Sequence, residues 1–297
     1  MTTIKTVWIT GASSGLGLAT AKAFAGRGWL VVAGARSFAD GTVHEEEKAE
    51  HWVRLRLDVT DGESCAHFVR RALEISPRVD ALVCGAAVLV LGSCEKTGAD
   101  EYNRVLDTNF TGAARMVSLA LPYMRAQGSG RIVLFSSING LLGIPFQSAY
   151  TASKHALEGY AECLAMETAP WGVQVCLVEP GDHRGGSQRT RLNAREENGA
   201  SPYHERFDAA VAVIHSDEAN GLSPDRLGEK LVQNVERRHM RFRLRVAKPD
   251  QHLAVWLHAL LPPWLNGRCA PIIREKGRRE VREKRKRNAQ QKPFFSP

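Results

Sequence analysis

No two cysteines in this chain are spaced C-x-x-C, and no Cys/His cluster has metal-ligand spacing. That argues against a zinc ribbon or a dithiol redox motif, and no metal is expected. The six cysteines, Cys65, Cys84, Cys94, Cys163, Cys176 and Cys269, are scattered. Those in apolar runs such as "ALVCGAAV" and "VQVCLVEP" read as buried free thiols, which suits a reducing compartment. No apolar run approaches the ~20 residues of a membrane span, and "MTTIKTVWIT" has no long apolar h-region. The expectation is a soluble, cytoplasmic chain. Internal repeats are also missing.

The body of the chain lacks net charge. The total is +8, but the residues from Arg268 onward hold 11 Lys+Arg against 3 Asp+Glu, which leaves 29 of each sign before them. A nucleic-acid-binding protein needs its basic residues on the folded body, so no nucleic-acid partner is expected. The basic tail over 268–297 fits a solvated, partly helical extension. Its clustered Lys and Arg, next to an apolar helical stretch, also suit peripheral contact with a membrane surface.

What is present is an alternation of short apolar runs with helical stretches. "TVWIT" (6–10), "LVVAGA" (30–35), "WVRLRLDV" (52–59), "VDALVCGA" (79–86), "RIVLFSS" (131–137) and "VQVCLVEP" (173–180) read as strands. "RFRLRVA" (241–247) suits a seventh strand at a sheet edge, with outward arginines discouraging edge pairing. Strands alternating with helices imply right-handed crossovers and a doubly wound parallel α/β sheet of about seven strands, with helices on both faces. One unit is expected over 1–267. Within it, 182–222 is polar and Gly-rich and follows the sixth strand, where ligands bind in such sheets; it reads as a substrate-covering segment or a mobile surface insertion. The stretch "QHLAVWLHALLPPWL" (251–265) fits core packing, a greasy substrate entrance or a membrane-surface contact.

The first strand runs into "TGASSGLG", where Gly11, Gly15 and Gly17 open a helix. Glycines there permit a tight turn and close approach of a pyrophosphate to the helix N-terminus. Gly11, Ser13, Ser14, Gly15, Leu16 and Gly17 are therefore candidate dinucleotide contacts. A site selective for NAD would usually place Asp or Glu after the second strand; Arg36 stands there instead. Its guanidinium can fork onto a 2′-phosphate, which favours NADP(H) over NAD(H). Asp58, with Val59 after it, fits either of two roles: acceptor for an adenine amine, or cap of the next helix. In "YTASK", Tyr150 and Lys154 lie four residues apart and share a helix face. An ammonium there would favour the phenolate and draw the tyrosine down from ~10; the same spacing equally fits an ordinary amphipathic helix.

"TGASSGLG", "TNFTG" with Asn109, "VLFSSINGLLG" with Ser137 and "YTASK" together resemble the short-chain dehydrogenase/reductase family. Their order matches, as do the intervals of 28 residues from Asn109 to Ser137 and 13 from Ser137 to Tyr150. The likeness is strong over residues 4–181, and "SSINGLLGIPFQSAYTASKHALEG" is most similar to the 17β-hydroxysteroid and retinol dehydrogenase subgroup. The resemblance implies a Rossmann-type fold and hydride transfer between nicotinamide and a small lipophilic alcohol or ketone. By the same resemblance Tyr150 is the general acid/base, and Lys154 lowers its pKa and bonds the nicotinamide ribose. Ser137 holds the substrate oxygen, Asn109 positions a relay water, and Pro180 and Gly181 frame the nicotinamide side. It also implies a homodimer or homotetramer through helices around 101–127 and 148–169.

Two departures stand out. The family's N-A-G after the fourth strand is here Gly85-Ala86-Ala87, which puts cofactor affinity in question. That change alone favours a second reading, a catalytically silent dinucleotide-binding regulator or scaffold. After "PG" the family's Thr is replaced by Asp182, His183 and Arg184, and Thr190 is too distant to be equivalent. His183 fits a substrate contact or a solvent-facing loop position, and His155 a structural role.

Overall fold

Seven parallel strands form the main sheet of the computed structural model, which describes residues 4–39, 52–185 and 191–261. Thr190 and the basic tail lie outside the described residues. The strands are β1 (Thr6–Thr10), β2 (Leu30–Ala35), β3 (Trp52–Arg56), β4 (Ala81–Cys84), β6 (Gly130–Phe135), β7 (Val173–Pro180) and β9 (Arg243–Val246). Their order across the sheet is β3-β2-β1-β4-β6-β7-β9. The direction of growth reverses at the β1/β4 step, the place where doubly wound sheets open a ligand crevice at their carboxyl ends. The apolar runs at 52–59 and 79–86 form strands shorter than their sequence extent, because their last residues turn away at that crevice.

The strands are almost continuously apolar because helices cover both faces. Side chains alternate: Trp8, Val32, Leu82, Ile132 and Leu177 face one core, and Val7, Ile9, Val31, Val83 and Val178 face the other. The first core is closed by α2 (Gly62–Ile75), α4 (Gly112–Gln127) and α5 (Ser148–Thr168), through Phe68, Met116, Leu157 and Leu164. The second is closed by α1 (Gly15–Ala25) and α7 (Pro224–Val235), through Phe24, Leu227 and Leu231. A Cβ on Gly228 would lie 2.6 Å from the Ala19 carbonyl oxygen, so a glycine there is what lets α7 settle onto α1. Cys84 and Cys176 are buried free thiols, as their apolar runs suggested.

The helical stretch from residue 101 is broken. α3 (Ala99–Leu106) passes into one π-helical turn, Asp107–Thr111, before α4. Such turns aim side chains that a regular helix would point elsewhere; this one buries Asn109. The described residues of the 182–222 segment hold more regular structure than the composition suggests. It contains β8 (Arg191–Asn193), which pairs in parallel with β5 (Leu89–Leu91), and a sixteen-residue helix, α6 (His204–Ala219). A last helix, α8 (Pro249–Leu260), follows β9.

The edge strand also differs from expectation in one respect. Arg243 and Arg245 do not simply face water: both bind Glu179 on β7, whose side chain is 0 % exposed. Arg243 reaches Glu158 and Glu162 on α5 as well. These arginines neutralise an interior carboxylate.

Candidate active site

The glycine turn is built for close approach. Gly11 and Gly15 hold φ of +71° and +55°, a region that side-chain-bearing residues rarely enter. A Cβ on Gly17 would lie 2.3 Å from the Gly11 carbonyl oxygen, and one on Gly11 would lie 2.7 Å from the Ala86 backbone. The turn delivers the N-terminus of α1, whose N-cap Ser14 makes no side-chain cap. An uncapped helix start with small neighbours fits an anionic phosphate.

Ser13, Ser14, Leu16 and Gly17 line a cleft of about 2190 Å³ across the carboxyl ends of the strands. Pockets for one drug-sized ligand run to ~300–1,000 Å³, so this cleft has room for a dinucleotide and a second molecule. Gly11, Arg36, Asp58 and Val59 line the same cleft, as do Ser137, Tyr150, Lys154, Pro180 and Gly181. Gly15 is the first residue of α1.

Arg36 is exposed one residue beyond β2. Asp58 does not cap α2, because Asp61 does, accepting from the Glu63 and Ser64 amides. Asp58 instead accepts from the Thr60 amide (3.0 Å) and hydroxyl (2.8 Å). Burial pushes its carboxyl up, but those hydrogen bonds, with Arg36 and Arg56 nearby, outweigh burial and hold it below the usual range.

The Gly85-Ala86-Ala87 departure is bridged. Thr10 Oγ1 accepts from the Gly85 amide (3.1 Å) and the Ala86 amide (3.2 Å), tying β4 to β1. A Cβ on Gly85 would lie 2.9 Å from the Thr10 carbonyl oxygen.

Tyr150 and Lys154 share one face of α5. The Lys154 Nζ stands 5.3 Å from the Tyr150 ring centroid and donates to the Phe135 carbonyl at 2.6 Å. The expected lowering of the tyrosine pKa is not what the fold produces. Burial pushes Tyr150 up to about 12, a hydrogen bond with Ser137 opposes, and Glu218 reinforces the rise. Burial also pushes Lys154 down to about 7, with Glu158 opposing. The ammonium alone does not overcome desolvation of the phenolate. Ser137 lies two residues beyond β6, where it caps the short turn Ile138–Gly140 and accepts from the Asn139 amide at 3.2 Å.

Asn109 lies behind this group rather than in the cleft. Its amide donates to the Val88 carbonyl (3.0 Å) and the Ser153 hydroxyl (3.0 Å), and its Oδ1 accepts from the Val88 amide (2.8 Å). The Asn109 amide therefore braces the chain between β4 and β5 at Val88 and ties it to α5 at Ser153.

One description fits the whole arrangement. A profile of the short chain dehydrogenase family matches residues 5–196. The chain is a short-chain dehydrogenase. It is 36 % identical over 258 residues to a 3-ketodihydrosphingosine reductase of Bacteroides thetaiotaomicron, covering 86 % of this chain and 93 % of that protein. Human 17-beta-hydroxysteroid dehydrogenase type 1 is 41 % identical over 184 residues, 59 % of this chain and 56 % of that one. Among solved structures, a short-chain dehydrogenase from Streptomyces avermitilis superposes with a TM-score of 0.76 at 29 % identity, covering 98 % of this chain and 100 % of that one. This short-chain dehydrogenase thus belongs to a family of oxidoreductases that bind a nicotinamide dinucleotide.

One cleft residue had no sequence signal, and two that the sequence singled out are held differently from a free loop. Phe146 takes φ +64°, strained for a bulky residue. Its carbonyl accepts from the Gly92 amide at 3.0 Å, its ring packs edge-on to Phe207, and it lines the cleft just before Tyr150. His183 is buried rather than solvent-facing, with Nδ1 2.9 Å from the Gly181 carbonyl oxygen. Asp182 is bound by Gln251 of α8, and burial, aided by Asp217, pushes its carboxyl up to about 6.

Proposed function

We propose that this dehydrogenase uses NADP(H) to interconvert a lipophilic ketone and its secondary alcohol, with Tyr150 as general acid/base. The observation that carries the reading is the convergence of Ser137, Tyr150 and Lys154 in one cleft with the glycine turn. The nicotinamide, when bound, supplies or accepts hydride at the carbinol carbon. The chain's part is the proton. In reduction, Tyr150 gives its phenolic proton to the oxygen that hydride addition leaves negative. A phenol pushed up to about 12 stays protonated at neutral pH, the form that step needs. Ser137 donates to the same oxygen and stabilises its growing charge. Lys154 binds the ribose in this reading and favours the phenolate as the proton departs.

Arg36 supports the choice of NADP(H), and the ends of the cleft support an apolar substrate. Leu142, Ile144, Phe146, Val213, Ile214 and Leu257 line the same cleft as Tyr150. Similarity to a 3-ketodihydrosphingosine reductase makes long-chain ketones bearing polar headgroups the first compounds to test. The homo-oligomer is supported by Tyr123 and Met166, exposed on α4 and α5. The test is Tyr150→Phe, expected to cut kcat for NADPH-dependent ketone reduction at least ~10³-fold and to leave the NADPH Kd within about twofold. A Phe variant that turns over at the parent rate would remove the assignment.

A further inference from the structure

Helix α8 stands apart from the rest of the fold. Of its residues only Val255 is buried, and Leu253, Trp256, Leu257 and Leu260 are 56 %, 65 %, 38 % and 65 % exposed. Those four occupy i, i+3, i+4 and i+7, a single stripe down the helix. The helix is nevertheless fixed in place. Gln251 accepts from the Asp182 amide (3.3 Å) and the Lys248 amide (3.1 Å) and donates to the Asp182 carboxylate (2.6 Å). Leu253, Ala254 and Leu257 also border the cleft. A contiguous apolar stripe of this kind on an exposed surface marks an interaction site.

Charge decides the occupant. The 30 residues from Arg268 carry a net +8, whereas the body before them is neutral. A second copy carries the same +8, so charge opposes its docking here. An anionic lipid surface brings the opposite sign. We propose that α8 lies in the headgroup–acyl boundary of an anionic membrane, to which the positive charge that follows it in sequence attracts the protein. The helix is ~18 Å long at 1.5 Å per residue and rests on the bilayer; among the described residues no helix is long and apolar enough to cross one. The cleft mouth then opens at the lipid surface, so an apolar substrate enters without crossing water. That delivery step rests on the substrate class proposed above; the docking itself does not.

The test is flotation of the full-length protein with phosphatidylcholine vesicles, with or without about 30 % phosphatidylglycerol. Binding is expected only to the anionic vesicles at ~50 mM salt, with most of it lost at ~500 mM. Trp256→Gln/Leu260→Gln, two positions off the cleft, should lower partitioning about 30-fold while turnover of a short, water-soluble ketone stays at the parent rate. Truncation after Gly267 should remove the salt-sensitive binding. The proposal is overturned if the parent does not float with anionic vesicles at low salt, or if either variant floats as well as the parent. It is also overturned if the double substitution converts a dimer to a monomer in sedimentation velocity, which gives the stripe to a second copy. Flotation needs neither cofactor nor ketone, so a failed turnover assay and a failed flotation are separate results.

Discussion

Arg243→Met tests whether the β9 arginines are interior counter-ions. The Arg243 guanidinium serves three carboxylates: Glu158, Glu179 at 2.8 Å and Glu162 at 2.8 Å. Glu179 is fully buried, Glu158 nearly so, and Glu162 is mostly exposed. Breaking a buried pair costs ~3–5 kcal/mol because the stranded charge stays inside, whereas an exposed pair contributes ~0.2–1 kcal/mol. Two contacts soften the loss: Arg245 still holds Glu179 at 2.7 Å, and Ser136 still donates to Glu158. The lower end applies, about 3 kcal/mol, or a Tm drop of ~6 °C at ~2 °C per kcal/mol. Thermal unfolding of the parent, Arg243→Met, Glu158→Gln and the double variant closes a cycle. The double variant should recover at least ~1 kcal/mol of the Arg243→Met loss, and Glu162→Gln should stay within ~0.5 kcal/mol of the parent. If Arg243→Met melts within a degree of the parent, or Glu162→Gln costs as much, the network is a surface ornament and the reasoning fails.

Three further outcomes follow from the cleft. Arg36→Glu should weaken NADPH about 30-fold and leave NADH nearly unchanged in fluorescence titration; an equal loss for both would remove the 2′-phosphate contact. Thr10→Val strands the Gly85 and Ala86 amides and should cost about 2 kcal/mol in denaturant unfolding; a loss under ~0.5 kcal/mol would mean that water replaces the hydroxyl. Asp182, raised by burial from 3.8 to about 6, holds its proton longer folded than unfolded. Its contribution to stability is therefore full below pH ~4 and lost as pH rises through 6, by ~3 kcal/mol at 1.36 kcal/mol per unit. Asp182→Asn should flatten that part of the stability curve between pH 4 and 7, and an unchanged slope would refute it.

The sheet was legible because parallel strands buried on both faces must be continuously apolar, as "TVWIT" and "LVVAGA" are. The glycine turn and the Tyr150–Lys154 spacing were legible because chemistry constrains residue type there more tightly than packing does. α6 was not, because Phe207, Val211 and Ile214 of "HERFDAAVAVIHSDEA" pack on a small cluster with Leu89 and Leu91, far away in sequence, while its other side lines the cleft. The pairing of Arg243 with Glu179 joins residues 64 positions apart, and no local pattern encodes it. Tyr150 shows the limit from the other side. A neighbouring ammonium is visible in sequence, but the desolvation that opposes it depends on residues that only the fold brings together.

The strand order has a consequence for how the chain is made. β2 adds to β1, β3 to β2, β4 to the other side of β1, and then β6, β7 and β9 each join the strand completed before them. No strand is ever inserted between two already paired, so the sheet can grow outward as the ribosome releases it. Until the next strand arrives, its growing border is bare backbone. The early strands β1, β2 and β4 contain no charged residue to repel a stranger, and an unprotected border of that kind invites pairing between nascent chains. The two strands that remain outermost, β3 and β9, each carry two arginines. Protection against intermolecular pairing is thus concentrated at the final borders, and the interval before residue 246 is synthesised is when a chaperone would matter most.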